Sequence, residues 1–316
     1  MESARRDPEA AGPLQVASGF KGGAEAAIHG MKLKFECEAT DAILLVDAAN
    51  AFNQLSRLVA LHNIQYICPP FAIVLINTYR NPARLFIVEG GEIESAEGNT
   101  QGDTLASAFY GLGTKPIICE LNNLNTEDTP TISQVWLADD ATSAGKLVPL
   151  KEWWDTIKKE GVKYGYFVKP SKSWLILKDP LKLDECKELF ADSQINITLE
   201  GKRHLGAALG SVNFKDEYID EKVRNWVNDI KTLADIAKTQ PYAAYAAFIH
   251  GEQHKFTYFL CTIANISENL KPLDKAIDNL FIPSIFSSEI NSCRAGYSFA
   301  TNKGCGIRME KSCCKY

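Results

Sequence analysis

The sequence predicts an α+β chain, with a sheet domain followed by a helical one, and three observations carry that expectation. Short apolar runs such as "AILLV" (42–46), "QVWL" (134–137) and "SWLIL" (173–177) have strand length and end at polar or turn residues. Helical patterns lie between them without regular β-α alternation. From about 215 to 280 the pattern turns mostly helical, as in "YIDEKVRNWVNDIKTLADIA".

Taken in order, residues 1–23 are polar, rich in Gly, Ala and Pro, and carry no period. "GGAEAAIHGMKLKFECE" (22–38) sets Ala26, Ile28, Met31 and Phe35 loosely on one helical face. "AILLVDAANAF" (42–52) reads as a compact strand ending at Asp47, and "NQLSRLVALHNI" as an amphipathic helix. "FAIVLINTYR" (71–80) is apolar throughout, which suits a buried helix and a buried strand equally. "ARLFIVEGGEIESAEGNTQGD" gives a hairpin turning at Gly90-Gly91, and "TLASAFYGLGTKPIICEL" a helix. "TISQVWLADDATSAGKL" reads strand, turn, strand. "LKEWWDTIKKEGVKYG" is an amphipathic helix closed by glycine. "SWLIL" is a further strand and "GKRHLGAALGS" (201–211) a strand and turn, while the stretch from Ser287 onward has no period.

Composition sets bounds on function. The 316 residues are 46% apolar and 23% charged, as in ordinary globular proteins, and allow one large domain or two modest ones. A net charge of −5 supplies no overall basic field, so a nucleic-acid role would need a local groove. Nine cysteines are scattered without a Cys-x-x-Cys pair, which argues for reduced, buried thiols in an intracellular protein rather than a disulfide framework or zinc site. "MESARRDPEAAGPLQ" lacks the apolar core of a signal peptide. No run approaches the roughly 18 apolar residues that cross a bilayer, so no membrane partner is expected.

The chemistry centres on carboxylates. Asp47 and the pair Asp139-Asp140 each follow an apolar strand, and neighbouring strands would bring the three acids to one sheet edge. Converging carboxylates make a hard oxygen site suited to Mg²⁺. Two such ions can activate an attacking oxygen and stabilise a leaving one in phosphoryl transfer. Taken singly, each acid reads equally as a turn former or helix cap.

The surrounding residues add a resemblance. "DAANAFN" (47–53), "EGNTQGDTLASAFYG" (97–111), "LADD" (137–140), "PSKSWLIL" (170–177) and "HLGAALG" (204–210) occur in that order. Together they resemble the palm of retroelement reverse transcriptases, over roughly residues 12–280. The resemblance implies a polymerase palm at 41–212, an antiparallel sheet with packed helices. It also implies a partial fingers segment at 1–40 and a helical thumb-like region at 213–290, which leaves 291–316 as an unstructured or degenerate tail. It implies an RNA-directed DNA polymerase whose Asp47, Asp139 and Asp140 hold two Mg²⁺ ions, Mn²⁺ being an alternative, with carboxyl groups close enough to share them. Phe52 falls at the steric gate, where an aromatic ring excludes a ribose 2′-hydroxyl. Gln101 and Gly102 fall on the loop beside the nucleotide, Lys172 near the pyrophosphate leaving group, and Leu205 and Gly206 in the primer grip. The implied partners are an RNA or DNA template with its primer, and deoxynucleotide triphosphates. Lys222, Arg224 and Lys231 would face phosphates from the thumb side.

The sequence departs from the family in places. Leu137 stands where an aromatic residue usually precedes Ala-Asp-Asp, and Thr104 replaces a turn-setting proline. The stretch before Asp47 is shorter than the family's fingers, so the chain reads as a fragment begun at an internal methionine and is expected to catalyse weakly or not at all. The Cys-rich end from Ser292 resembles nothing in the family. A phosphate-transfer receiver would present its acidic pair first, the reverse of the order here, and a P-loop ATPase would need a G-x-x-x-x-G-K-[ST] that is absent. The main rival is an inactive retroelement remnant that folds as a palm and at most binds nucleic acid.

Overall fold

The computed structural model describes residues 11–125 and 132–286. The chain divides between Lys202 and Arg203 into two units.

The first unit is built on a five-stranded sheet in the order β4-β5-β1-β6-β7. Its central strand β1 (Ala42–Val46) runs antiparallel to β5 (Asp140–Gly145) on one side and to β6 (Trp174–Leu177) on the other. Strand β4 (Ile132–Leu137) pairs antiparallel with β5, and β7 (Asn196–Thr198) pairs parallel with β6. Alternation along β1 serves both faces of the sheet. Leu44 and Val46 join the main core with Phe109, Tyr110, Trp153 and Trp154, whereas Ile43 is buried outside that cluster.

Helix α1 (Gly23–Glu36) packs against β1, β4 and β5 through Ala27, Ile28 and Met31. Ala26, expected on this face, is exposed, because the stripe runs one residue later. Just before α1, residues 14–16 lie along β4: Trp136 and Leu14, then Val16 and Trp136, exchange backbone hydrogen bonds of 2.8 Å each. The 11–36 segment is therefore tied to the sheet itself.

After β1 come a short helix α2 (Ala51–Gln54) and α3 (Arg57–Ile67), the latter capped by Ser56 Oγ accepting from the Val59 N–H. The ambiguous run at 71–80 folds as helix α4 (Pro69–Tyr79), with proline pre-set at its first position. Strands β2 (Ala83–Phe86) and β3 (Glu92–Ser95) form the expected hairpin. Helix α5 (Ala106–Asn122) supplies Phe109 and Tyr110 to the core, and helix α6 (Leu147–Glu160) supplies Trp153 and Trp154. The 3₁₀ turn Pro170–Lys172 leads into β6, and α7 (Leu183–Leu189) precedes β7.

The boundary falls inside β8 (Gly201–His204), which forms a hairpin with β9 (Ala207–Gly210); the second unit continues as helices. The long α8 (Val212–Ala237) buries Ile219, Val223, Trp226, Ile230, Ala234 and Ala237, a stripe at helical spacing. Trp226 meets Phe256 and Phe259 edge-on, with ring centroids 5.3 and 4.9 Å away. The chain continues through α9 (Pro241–Ala247), α10 (Gln253–Thr262), α11 (Ser267–Ala276) and α12 (Ile282–Phe286).

The α+β class and the helical region after 215 are as expected from the pattern. The thiols are only partly so: Cys68 and Cys186 are buried, but Cys37, Cys119 and Cys261 are exposed, sitting on polar helix faces or ends that composition does not reveal. Among the described residues no disulfide forms. The expected degenerate tail, with its four cysteines, lies outside the described residues.

Candidate active site

Strand register brings the acids together. Val46 pairs with Ala141, so the next residue on each strand, Asp47 and Asp140, face each other at the sheet end. Leu137 pairs with Asp140 across the β4–β5 hairpin, leaving Ala138 and Asp139 as its two-residue turn. The three acids therefore lie at a turn between two strands and beside the end of a third.

That turn is held on both sides. Ala138 has φ +56°, at a turn position where glycine is usual, a local strain that the surroundings must support. Gln15, wholly buried, does so: its side-chain amide donates to the Ala138 carbonyl at 3.0 Å, and its side-chain oxygen accepts from the Ala138 N–H at 2.8 Å. Tyr166, also buried, donates its hydroxyl to the Asp139 carbonyl at 2.8 Å. Asp47 is anchored from the other flank. Its N–H donates to the buried Ser173 hydroxyl at 3.3 Å, and its carbonyl accepts from the Lys169 N–H at 2.8 Å.

Electrostatics mark the same place. Burial, followed by the charges of Asp139 and Asp47, raises the Asp140 carboxyl from its ordinary value to about 6. Asp139 is also raised, chiefly by burial, with the Asp47 charge adding to it. Asp139 and Asp140 thus both feel the charge of Asp47. Among the described residues no three His, Cys, Asp or Glu side chains converge into a ligand cage.

Phe52 lies on α2, five residues after Asp47. It is half-buried, its ring stacked on Tyr110 with centroids 4.7 Å apart and planes 22° from parallel. The Gln101-Gly102 loop is fastened to the same helix: Gly98 N–H donates to the Leu55 carbonyl at 2.9 Å and Asn99 N–H to the Phe52 carbonyl at 2.8 Å. Gly98 is required there, because its φ is +69° and an added Cβ would stand 2.4 Å from the Phe52 oxygen. The buried Arg57 completes the fastening, donating to the carbonyls of Ser95, Glu97 and Gly98 at 2.9 to 3.0 Å. Gln101 and Gly102 themselves are exposed, and Gly102 has φ +90°.

Lys172 is exposed on the 3₁₀ turn before β6, two residues beyond the Leu45–Trp174 pair, the register position opposite Asp47. Leu205 and Gly206 belong to the second unit. They form the two-residue β8–β9 turn, both with positive φ as a type I′ turn needs. Tyr218 donates its hydroxyl to the Gly206 carbonyl at 2.8 Å and Tyr258 to that of Leu205 at 2.5 Å.

The structure thus gathers Asp47, Asp139, Asp140, Phe52, the Gln101 loop and Lys172 in the first unit. Sequence reasoning missed Gln15, Tyr110, Tyr166 and Ser173. Only Ser173 and Tyr110 lie inside quoted motifs, and nothing in their spacing marked them.

No family model matches the sequence, and no curated protein matches it. Among solved structures, apo telomerase from Candida tropicalis is 12% identical with a TM-score of 0.49, covering 93% of this chain and 58% of that one. Telomerase from Candida albicans, in complex with a fragment of telomeric RNA, is 10% identical with a TM-score of 0.48, covering 93% of this chain and 53% of that one. A Candida tropicalis telomerase truncated of its C-terminal domain is 14% identical with a TM-score of 0.45, covering 55% and 39%. The chain spans about half the length of these telomerases or less. Likenesses at this level say nothing about chemistry.

Proposed function

We propose that the chain is a reverse transcriptase of retrotransposon type, adding deoxynucleotides to a primer 3′-hydroxyl under the direction of an RNA or DNA template. The observation that carries this reading is the meeting of Asp47 and the Asp139-Asp140 turn at one sheet end, beside Phe52 and the Gln101 loop. The five motifs in order give the reading its family.

The donor set suits magnesium. Three carboxylates offer oxygen ligands only, and Mg²⁺ is usually held by one or two carboxylates plus substrate phosphates rather than by an all-protein cage. Asp47, Asp139 and Asp140 would hold the ions, with Mn²⁺ as the alternative. Such ions, when bound, lower the energy of the attacking and leaving oxygens. The remaining steps belong to the protein. Gln15 and Tyr166 hold the acidic turn by its backbone, so that Asp139 and Asp140 need not reorganise during reaction. Phe52, stacked on Tyr110, would act as the gate that excludes a ribose 2′-hydroxyl. Gln101 is exposed and able to hydrogen-bond the nucleotide. Lys172 offers an ammonium to offset the charge of departing pyrophosphate. Leu205 and Gly206 form the primer grip.

The test is primer extension by the purified chain on RNA and DNA templates, in Mg²⁺ and then Mn²⁺, with Asp139→Asn as the blank. Extension above the blank supports the reading. Extension equal to the blank with both ions would move the assignment to a palm-shaped remnant that at most binds nucleic acid.

A further inference from the structure

Tyr110 holds a polar atom with no visible employment. Its side chain is wholly buried on α5, and among the described residues its hydroxyl has no hydrogen-bond partner. Leaving a buried hydroxyl unpaired costs roughly 1–3 kcal/mol, so phenylalanine would make the same ring contact with Phe52 at lower cost. Packing therefore accounts for the ring and not for the oxygen.

The surroundings suggest what the oxygen meets. Burial first, then the charges of Asp139 and Asp140, act on the Tyr110 phenol, and Tyr110 in turn acts on the Tyr166 phenol. The Tyr166 hydroxyl is already committed to the Asp139 carbonyl. Tyr110 is thus the phenol near the acidic turn whose donor is unspent. The same helix packs a second arrangement of this kind with its donor spent: Tyr79 stacks on Phe109 at 4.9 Å and 22°, and its hydroxyl donates to the Asp103 carboxylate. Asp140 is exposed, so its carboxylate can turn without disrupting the core.

We infer that Tyr110 is a positioning residue whose hydroxyl donates a hydrogen bond to the Asp139-Asp140 carboxylates when they hold a divalent cation. The inference rests on the nucleotidyl-transfer reading for what those acids hold. The donor fixes the orientation of an acid on its inner side, leaving the outer oxygens for the ion. Ligating carboxylates are commonly held by such outer partners, whose loss weakens metal binding about 10- to 100-fold.

The experiment measures Mn²⁺ binding to the full chain by electron paramagnetic resonance, without nucleotide or template, for wild type, Tyr110→Phe and Asp139→Asn. Tyr110→Phe is expected to bind Mn²⁺ about tenfold more weakly than wild type, while its metal-free thermal midpoint stays equal or rises because an unpaired hydroxyl is gone. A purely structural tyrosine would lower the midpoint and leave Mn²⁺ affinity alone. Equal affinity in wild type and Tyr110→Phe overturns the inference and leaves nucleotidyl transfer standing. Wild-type binding no tighter than that of Asp139→Asn overturns both. Specific Mn²⁺ binding without primer extension removes the polymerase reading alone, and the Tyr110→Phe comparison still decides the role of the hydroxyl.

Discussion

Replacing Asp140 by asparagine should stabilise this protein near neutral pH, an unusual direction for a change at a candidate reaction centre. Burial first, then the charges of Asp139 and Asp47, lift the Asp140 carboxyl from 3.8 to about 6 in the folded chain. A raised carboxyl means that the folded state takes up a proton between about pH 4 and pH 6 that the unfolded state does not. Stability therefore falls as pH rises through that window, and the full loss is felt above it. At about 1.4 kcal/mol per tenfold change in proton affinity, the shift would amount to roughly 3 kcal/mol. The residue's surface is nonetheless exposed, and solvent screening governs exposed charges, so about 1 kcal/mol is expected. For a unit of this size that is a gain of roughly 2–4 °C in melting midpoint. The assay is denaturation followed by tryptophan fluorescence, at about pH 4 and about pH 7.5. Trp136, Trp153, Trp154 and Trp174 all lie in the first unit, so the signal follows mainly the relevant half. Asp140→Asn should exceed wild type near neutrality and match it in acid. Adding Mg²⁺ should narrow the gap by stabilising wild type. No gain near neutrality, or an equal gain at both pH values, would refute the view that like charges strain this turn.

Three further outcomes follow from the site. Phe52→Ala should admit ribonucleotides in primer extension while deoxynucleotide use persists; unchanged discrimination would leave Phe52 as core only. Gln15→Leu removes both hydrogen bonds to Ala138 and should cost about 2–3 kcal/mol in denaturant titration, with extension falling further than the lost folded fraction explains. Gly98→Ala sets a Cβ 2.4 Å from the Phe52 carbonyl at φ +69°, so it should destabilise by more than about 2 kcal/mol and raise the nucleotide KM. A neutral Gly98→Ala would show that the loop is not seated on the Phe52 helix.

Local pattern by itself determined the elements and their order. The β1 run ending at Asp47, the Gly90-Gly91 hairpin, the strand-turn-strand around Asp139 and the long amphipathic stripe of α8 are each encoded within a few residues, by side-chain period and turn chemistry. Pattern failed where two structures share it: the apolar run at 71–80 became a helix because Pro69 starts one and Leu75 and Tyr79 find the core. It failed also at Ala26, one residue off the buried stripe, and at the exposed thiols. The acids were legible as residues, but their meeting was decided by the β1–β5 register across a long separation. Gln15 lies 123 residues from the Ala138 it holds, Tyr166 27 from Asp139, and Ser173 126 from Asp47. A contact made at such distance leaves no period, cap or turn signal near either partner, and only the closed sheet puts those groups side by side.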